Sequence, residues 1–435
     1  MTLTDPLPIV PITRPLDADV QVPGSKSYTN RALLVAALAR GRSILHGALD
    51  SDDSRFMAQA LRELGIGVRH DTSANLFEVD GCDGVVPASS ARVFIGNAGT
   101  AARFLPAMMA LGHGEYELDG VPRMRERPIH PLLDALRALG AEIQCLAQPG
   151  CVPLRIIANG LRGGAVAVPG DLSSQYITGL LLSAPYMQDG LRLEVEGKLV
   201  SRPYVEITLQ AMDAFGVRVQ REGEQRFVVA PGRRYIGRDY VVEPDASGAS
   251  YFFADAALCG GRVRVQGLGS ASLQGDLKLV HILERMGCTV TQSEHATELR
   301  GPDSGKLRGV EVDMADLSDV AQTLAVVAPF ATSPTRITGI GFIRRKETDR
   351  VGAVVTELNK LGIRADEEPD GLVIHPGLPT AGIVETYDDH RMAMSFALLG
   401  LRVPGIAIAN PACTAKTFPG YWDVLNRLSS GARVG

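Results

Sequence analysis

A few short segments of this 435-residue chain concentrate charge close to the start of a helix-like run. Lys26 and Arg31 lie in VPGSKSYTNRALL, RMRERP sets Arg123, Arg125 and Arg127 within six residues, and RRKETDR mixes four cations with Glu347 and Asp349. YDDHR joins two carboxylates to His390 and Arg391, and TAKTFP adds Lys416. Cations so placed suit an anion, and carboxylates beside them suit proton transfer. Charge-assisted hydrogen bonds contribute roughly 1.5–3 kcal/mol each, so several together would hold a phosphorylated, carboxylated substrate tightly.

Each motif also has a plainer reading. Lys26 and Arg31 read as solvated surface charges, although charges leading into a buried helix are costly without an anion partner. RMRERP reads equally as solvated arginines or as an anion site. RRKETDR reads as a helix start with pairs one turn apart. A P-loop is excluded, because GxxxxGK[ST] needs a glycine where this chain has Val20.

The elements that must position these residues form an internal repeat, met six times at a period of roughly seventy residues. An apolar helical run is followed by a short strand-like run: GRSILHGAL, GEYELDGV, GLRLEVEGKLV, GRVRVQGLG, TRITGIGF and PGIAIANPA. After the first five copies a second helical run ends in a glycine before a hydrophobic residue, as in LRELGIGV and LNKLGIRA, and a further strand follows. The sixth copy stops after its second helix. The extended segment from Ile9 to Val22 is expected to complete that last repeat and close the second domain.

The first helix of each repeat is apolar on every side, as in RALLVAALA and MAMSFALLGL, which places it inside a domain. Three such helices enclosed by short sheets give a domain whose buried helices run parallel, with their N-termini facing one way. The segments entering them, PGSKSYTNR, GNAGTAAR, PGDLSSQY, EPDASGAS, ADLSDVAQ and YDDHR, are rich in capping residues. Singly these are caps; gathered at one interface, their positive ends would receive an anion. The expected domains are 1–23 with 244–435, and 24–243, with two adjacent crossings forming a hinge and an active site in the interdomain cleft.

Composition narrows the class. A net charge of -5 argues against nucleic acid as the main partner. No apolar run approaches the roughly eighteen residues needed to cross a bilayer, and the N-terminus lacks the features of a signal peptide, so a cytoplasmic protein is expected. The six cysteines include no CxxC pair, which speaks against zinc and for small buried hydrophobes.

Nine motifs stand here in one order: PGSKSYTNRALLVAALA, GNAGTAAR, ERPI, SSQY, SRPY, DASGASYF, RRKETDR, DDHRMAM and CTAKTFP. In that order the chain resembles the 3-phosphoshikimate 1-carboxyvinyltransferases (EPSP synthases) over essentially its whole length. The resemblance implies an α/β, two-domain enolpyruvyl-transferase fold, each domain three βαβαββ units around buried parallel helices, an inside-out α/β barrel. It implies transfer of the enolpyruvyl group of phosphoenolpyruvate to the 5-hydroxyl of 3-phosphoshikimate, through a tetrahedral intermediate, with no cofactor and no metal. The implied partners are those two small molecules, with neither nucleic acid nor membrane, and the implied state is a monomer.

Residue by residue, the resemblance assigns Ser27, Arg31, Ser173, Ser174, Gln175, Ser201, Tyr204 and Lys346 to 3-phosphoshikimate, with Lys26 and Asp319 touching it too. Lys26, Gly99, Arg127, Gln175, Arg350, Arg391 and Lys416 fall to phosphoenolpyruvate. Asp319 would accept the 5-hydroxyl proton, Glu347 would protonate the methylene carbon, and Lys26 would assist at the developing charges. Asp316 is the rival base; Asp319 is preferred because it stands at the mouth of VAQTLAVV. Two positions depart from the family pattern: Phe342 stands where many members carry a substrate-binding Asn, and Phe104 where many carry Pro. Gly99, kept here, leaves room by family logic for the inhibitor glyphosate, and Phe104 weakens that expectation.

Three rival readings remain. The sister transferase acting on UDP-N-acetylglucosamine typically uses a Cys in the loop of the second repeat, and LDGVPRMRERPIH has none. An RNA 3′-terminal phosphate cyclase would want a basic-aromatic stripe. A non-catalytic repeat scaffold would not need Lys26, Glu347, Arg391 and Lys416 at helix mouths.

Overall fold

The structure is a computed structural model and describes residues 3–430. The chain divides into two compact units: Gly24–Val242, and the residues up to Pro23 together with those from Glu243 on. Glu243 therefore sits with the second unit, one residue from the boundary expected at 243/244.

Gly24–Val242 holds three four-stranded sheets of one design. In the second repeat Ser90–Phe94 pairs in parallel with His113–Asp119, and Leu154–Asn159 and then Glu142–Cys145 add antiparallel strands. The third repeat sets Gly164–Pro169 beside Leu191–Glu196 in the same way. Strands such as Leu191–Glu196 alternate buried and exposed residues, so each sheet has one face on the core and one in water. The first repeat takes its parallel edge strand, Asp239–Val241, from the far end of the unit, where it pairs with Arg40–His46.

The second unit closes by a different route from the one expected. Leu16–Val20 pairs in parallel with Gly261–Gln266, so it completes the fourth repeat. Leu7–Pro8 pairs antiparallel with Ile406–Ile408 and supplies the strand that the sixth repeat lacks. The segment read as extended, Ile9–Val22, thus gives its strand to the fourth repeat, and the sixth is completed by Leu7–Pro8 just ahead of it, because Gly261–Gln266 needs a parallel edge partner as much as Ile406–Ile408 needs an antiparallel one.

Inside the first unit lie the helices Lys26–Leu38, Gly99–Ala110 and Ser174–Ser183, and inside the second Ala246–Cys259, Ala321–Val327 and His390–Gly400. Nearly every residue of these six helices is buried, and within each unit they pack on one another. Full burial of a Leu, Val or Phe contributes about 1.5–3 kcal/mol, which explains the Ala, Leu, Val and Phe composition of these runs. Close approach fixes at least one residue type. A Cβ on Gly179 would lie 2.2 Å from the Arg103 carbonyl oxygen, so only glycine fits between those helices. The outer helices are amphipathic, and those of the first five repeats run into Gly65, Gly140, Gly216, Gly287 and Gly362, all at positive φ, the left-handed geometry that terminates a helix. Among the described residues no helix is long and apolar enough to cross a membrane.

Candidate active site

In the second unit, the residues that could do chemistry meet at the heads of three helices. Asp389 caps His390–Gly400, its side chain accepting the Arg391 amide at 2.8 Å. It is delivered there by Tyr387 and Asp388, two consecutive residues held in the left-handed region at φ 54° and 55°. Such strain costs of order 1–3 kcal/mol per residue and persists only where the surroundings impose it. Part of that imposition comes from the buried Glu357 carboxylate, which accepts the Tyr387 hydroxyl at 2.9 Å and the Glu385 amide at 3.0 Å.

Arg350 opens the helix Arg350–Lys360 behind the cap Asp349, which accepts the amides of Val351 and Gly352. Its guanidinium is 2 % exposed and reaches three carboxylates. Nε donates to Asp389 at 2.7 Å, Nη2 to Glu347 at 2.9 Å and to Asp389 at 3.3 Å, and Nη1 to Asp319 at 3.2 Å. Burial alone would weaken its hold on the proton, but Asp389, Glu347 and Asp319 outweigh that and raise its pKa.

Asp319 sits in the turn Ser318–Val320 at the entry to Ala321–Val327. Besides Arg350 it accepts from Lys346 Nζ at 3.1 Å and from Arg391 Nη2 at 2.6 Å. Three cations therefore converge on one carboxylate, and Glu347 lies on the same arginine. Lys346 also stands over the Phe342 ring, 5.9 Å from its centre, so the aromatic departure at 342 contributes a cation–π contact. Lys416, in the turn Pro411–Lys416 that packs against His390–Gly400, is buried.

Two residues that the motifs did not single out extend this cluster. Ser247, at the head of Ala246–Cys259, lies 3.4 Å from Arg391 Nη2 and donates a short hydrogen bond to Asp276. Burial first, and then the charge of Asp319, push the Asp276 carboxyl up to about 6. The motif DASGASYF contains Ser247, but nothing in the local pattern links it to Asp276, 29 residues on.

In the first unit, Lys26 begins its helix, and its Nζ lies 3.8 Å from Asp53 Oδ2, a partner the sequence reading missed. Arg31 is buried, and among the described residues no carboxylate pairs with it. Nε donates to Thr208 Oγ1 at 2.8 Å, Nη1 to the Ser27 carbonyl at 2.8 Å, and Nη2 to the Tyr204 carbonyl at 3.0 Å and Thr178 Oγ1 at 3.3 Å. Its protein partners are thus neutral oxygens, and burial, opposed by Tyr204, Tyr28 and Tyr240, lowers its pKa to about 10. Phe104 packs under this guanidinium, 5.4 Å from ring centre to Cζ, which is where the aromatic replacing the family's Pro finds its place.

Ser173 caps Ser174–Ser183 by accepting the Gln175 amide at 3.3 Å, and Thr178 on that helix ties it to Arg31. Ser201, at φ 54°, turns the chain into Arg202–Ala214, whose Tyr204 carbonyl meets Arg31. Ser27, Arg31 and Tyr204 are therefore brought together directly, and Ser173, Ser174, Gln175 and Ser201 stand at the heads of adjoining helices. RMRERP is divided among separate partners. Arg123 pairs with Glu126 and Arg125 with Asp119, while Arg127 turns inward to the Asn97 side chain at 3.2 Å. A Cβ on Gly99 would lie 2.7 Å from Arg127 Nη2, so the glycine and the arginine occupy one site. Among the described residues no group of three or more His, Cys, Asp or Glu side chains could hold a metal ion.

The family model described as EPSP synthase (3-phosphoshikimate 1-carboxyvinyltransferase) matches residues 10–425. The chain is 50 % identical over 418 residues to 3-phosphoshikimate 1-carboxyvinyltransferase of Nostoc punctiforme, covering 96 % of this chain and 98 % of that one. It is 46 % identical over 434 residues to the chloroplastic protein of that name from Arabidopsis thaliana, covering 96 % and 83 %. The solved EPSP synthase of Acinetobacter baumannii superposes with a TM-score of 0.81 at 26 % identity over 98 % of both chains. The enolpyruvyl transferase NikO of Streptomyces tendae, at 19 % identity over 98 % of this chain and 97 % of that one, shares the fold with a TM-score of 0.78.

Proposed function

The chain belongs to the EPSP synthase family, and from that premise we infer that it transfers the enolpyruvyl group of phosphoenolpyruvate to the 5-hydroxyl of 3-phosphoshikimate, releasing phosphate. The observation that carries the reading is the convergence of Lys346, Arg350 and Arg391 on Asp319, with Glu347 on the same Arg350. Cations for an anion, a base and an acid stand there within one hydrogen-bonded cluster.

In the addition step Asp319 takes the 5-hydroxyl proton as that oxygen bonds to the central carbon of phosphoenolpyruvate, and Glu347 delivers a proton to the methylene carbon. The resulting tetrahedral intermediate loses a methyl proton as its carbon–oxygen bond to phosphate breaks, which restores the double bond. A carboxylate held by three cations is a weak base. Substrate phosphate and carboxylate groups draw Lys346, Arg350 and Arg391 away from Asp319, so substrate binding itself makes the base stronger. Lys26 and Arg127 serve the phosphoenolpyruvate charges with Gly99, Gln175 and Lys416. Ser27, Ser173, Ser174, Gln175, Ser201 and Tyr204 serve 3-phosphoshikimate. Arg31, with four of its five N–H donors on Ser27, Tyr204, Thr178 and Thr208, fixes that set in place and serves 3-phosphoshikimate with the fifth. A cytoplasmic monomer acting on these two small molecules, without metal or organic cofactor, is part of the same proposal.

Phosphate release from phosphoenolpyruvate tests it, measured with and without 3-phosphoshikimate and in the presence of a chelator. Release that needs both substrates and survives the chelator is expected. Release that instead requires UDP-N-acetylglucosamine, or none at all, overturns the reading.

A further inference from the structure

Asp276 is a buried carboxyl, and simple anchoring does not explain it. Its turn, Gly275–Lys278, is already fastened to the head of Ala246–Cys259 by the neighbouring Gln274. Gln274 Oε1 accepts the Ala246 amide at 3.0 Å, while Nε2 donates to the Pro244 carbonyl at 2.7 Å and to Glu243 at 3.0 Å. With those three bonds in place, an ionisable group 3 % exposed beside them adds desolvation cost and little attachment.

Its hydrogen bond leads elsewhere. Ser247 donates its hydroxyl to Asp276 Oδ2 and lies as an acceptor 3.4 Å from Arg391 Nη2, the same nitrogen that donates to Asp319 at 2.6 Å. The chain runs from Asp276 through a serine and an arginine to the carboxylate assigned as base. We propose that Asp276 is a positioning residue for the reaction: through Ser247 it orients Arg391 on Asp319, and as a second carboxylate it sets how strongly Asp319 binds a proton. This rests on the assignment of Asp319 as the base.

The groups facing Asp276 define the sign. From the helix Ala246–Cys259 and its cap come Ser247 and Asp245, from the turn Ser318–Val320 comes Asp319, and from His390–Gly400 comes Arg391. Lys278 on its own turn and His281 on the helix that follows are exposed. Asp319 favours the neutral form of Asp276, and the coupling is reciprocal, so an ionised Asp276 strengthens Asp319 as a base. Ser247 and Arg391 favour the ionised form. With Asp276 titrating at about 6, the pair sheds its protons in two steps, one of them close to neutral pH.

The test has an arm that does not depend on turnover. A difference-infrared titration of the full-length wild-type protein should show a carboxyl C=O band lost with a midpoint at about pH 6. That band should be missing from Asp276→Asn. In Ser247→Ala it should move to higher pH, because the hydroxyl that stabilises the charged form is gone. In kcat/KM for phosphoenolpyruvate, Asp276→Asn should lose the step at about pH 6 and keep only the lower acid limb. A wild-type band that survives in Asp276→Asn, or a variant whose pH profile overlays the wild type, overturns the inference. If Asp276→Asn does not fold, the Ser247→Ala shift decides alone, and an unshifted band there overturns it. A wild-type protein inactive on both substrates sinks the functional reading, whereas the infrared titration still judges the Asp276–Asp319 coupling.

Discussion

Replacing Asp319 by Ala separates binding from chemistry more cleanly than any other change in this protein. The Asp319 carboxylate accepts from Lys346, Arg350 and Arg391 at 3.1, 3.2 and 2.6 Å, and a substrate anion must compete with it for them. A charge-assisted hydrogen bond is worth about 1.5–3 kcal/mol, so releasing one such competitor tightens phosphoenolpyruvate binding roughly ten- to a hundred-fold. Loss of a general base lowers kcat by about a hundred- to ten-thousand-fold. The fold should hold, because Arg350 keeps Asp389 and Glu347 at 2.7 and 2.9 Å and its burial stays compensated. Calorimetric titration with phosphoenolpyruvate in the presence of 3-phosphoshikimate reads the first effect, and single-turnover kinetics the second. Asp319→Asn, which retains an acceptor and removes the charge, should fall between wild type and Asp319→Ala in affinity. Weaker binding of phosphoenolpyruvate by Asp319→Ala, or a kcat within about tenfold of wild type, would refute both the competition argument and the assignment of the base.

Two further changes test other parts of the molecule. Gly99→Ala sets a methyl 2.7 Å from Arg127 Nη2, which the flexible guanidinium yields to by moving; KM for phosphoenolpyruvate should rise about tenfold or more, the worth of one charge-assisted bond, with stability unchanged or slightly improved. An unaltered KM would mean that Arg127 does not hold that substrate. Asp255, on Ala246–Cys259, is fully buried, neither carboxyl oxygen has a hydrogen-bond partner among the described residues, and burial holds its pKa well above the ordinary 3.8. The folded state therefore keeps a proton that the unfolded chain sheds, and stability is lost at about 1.4 kcal/mol per pH unit as pH rises from 3.8 toward the folded pKa. Asp255→Asn removes this penalty, so its urea stability relative to wild type should grow as pH rises above the ordinary carboxyl range. A difference that stays constant with pH would show that Asp255 ionises alike in both states.

The fold was legible because its signals are local. A helix apolar on every side has to be inside, whatever it packs against, and a glycine after each outer helix marks where that helix stops. Six copies of one pattern then leave little freedom about architecture. Long-range pairing was legible only in part. The segment from Ile9 to Val22 was recognisably extended, yet its alternation of residues says nothing about which unpaired edge it will meet; Leu16–Val20 went to the fourth repeat, and Leu7–Pro8, just ahead of the segment, to the sixth.

The same division holds at the candidate site. Sequence alone determined that Lys26, Lys346, Glu347, Arg350, Arg391 and Lys416 stand near helix starts, since capping chemistry and burial are written within a few residues. Tertiary structure decided what each one touches. Asp53 faces Lys26 across 27 residues of chain, Asp389 holds Arg350 across 39, and Ser247 approaches Arg391 across 144. Arg31 meets oxygens of Ser27, Tyr204, Thr178 and Thr208, three of them more than 140 residues away in the chain. Electrostatic energy depends on separations of a few ångströms between side chains that the sequence keeps far apart. Composition could therefore state that a cluster of charge exists, and only the packed helices could state that its centre is Asp319.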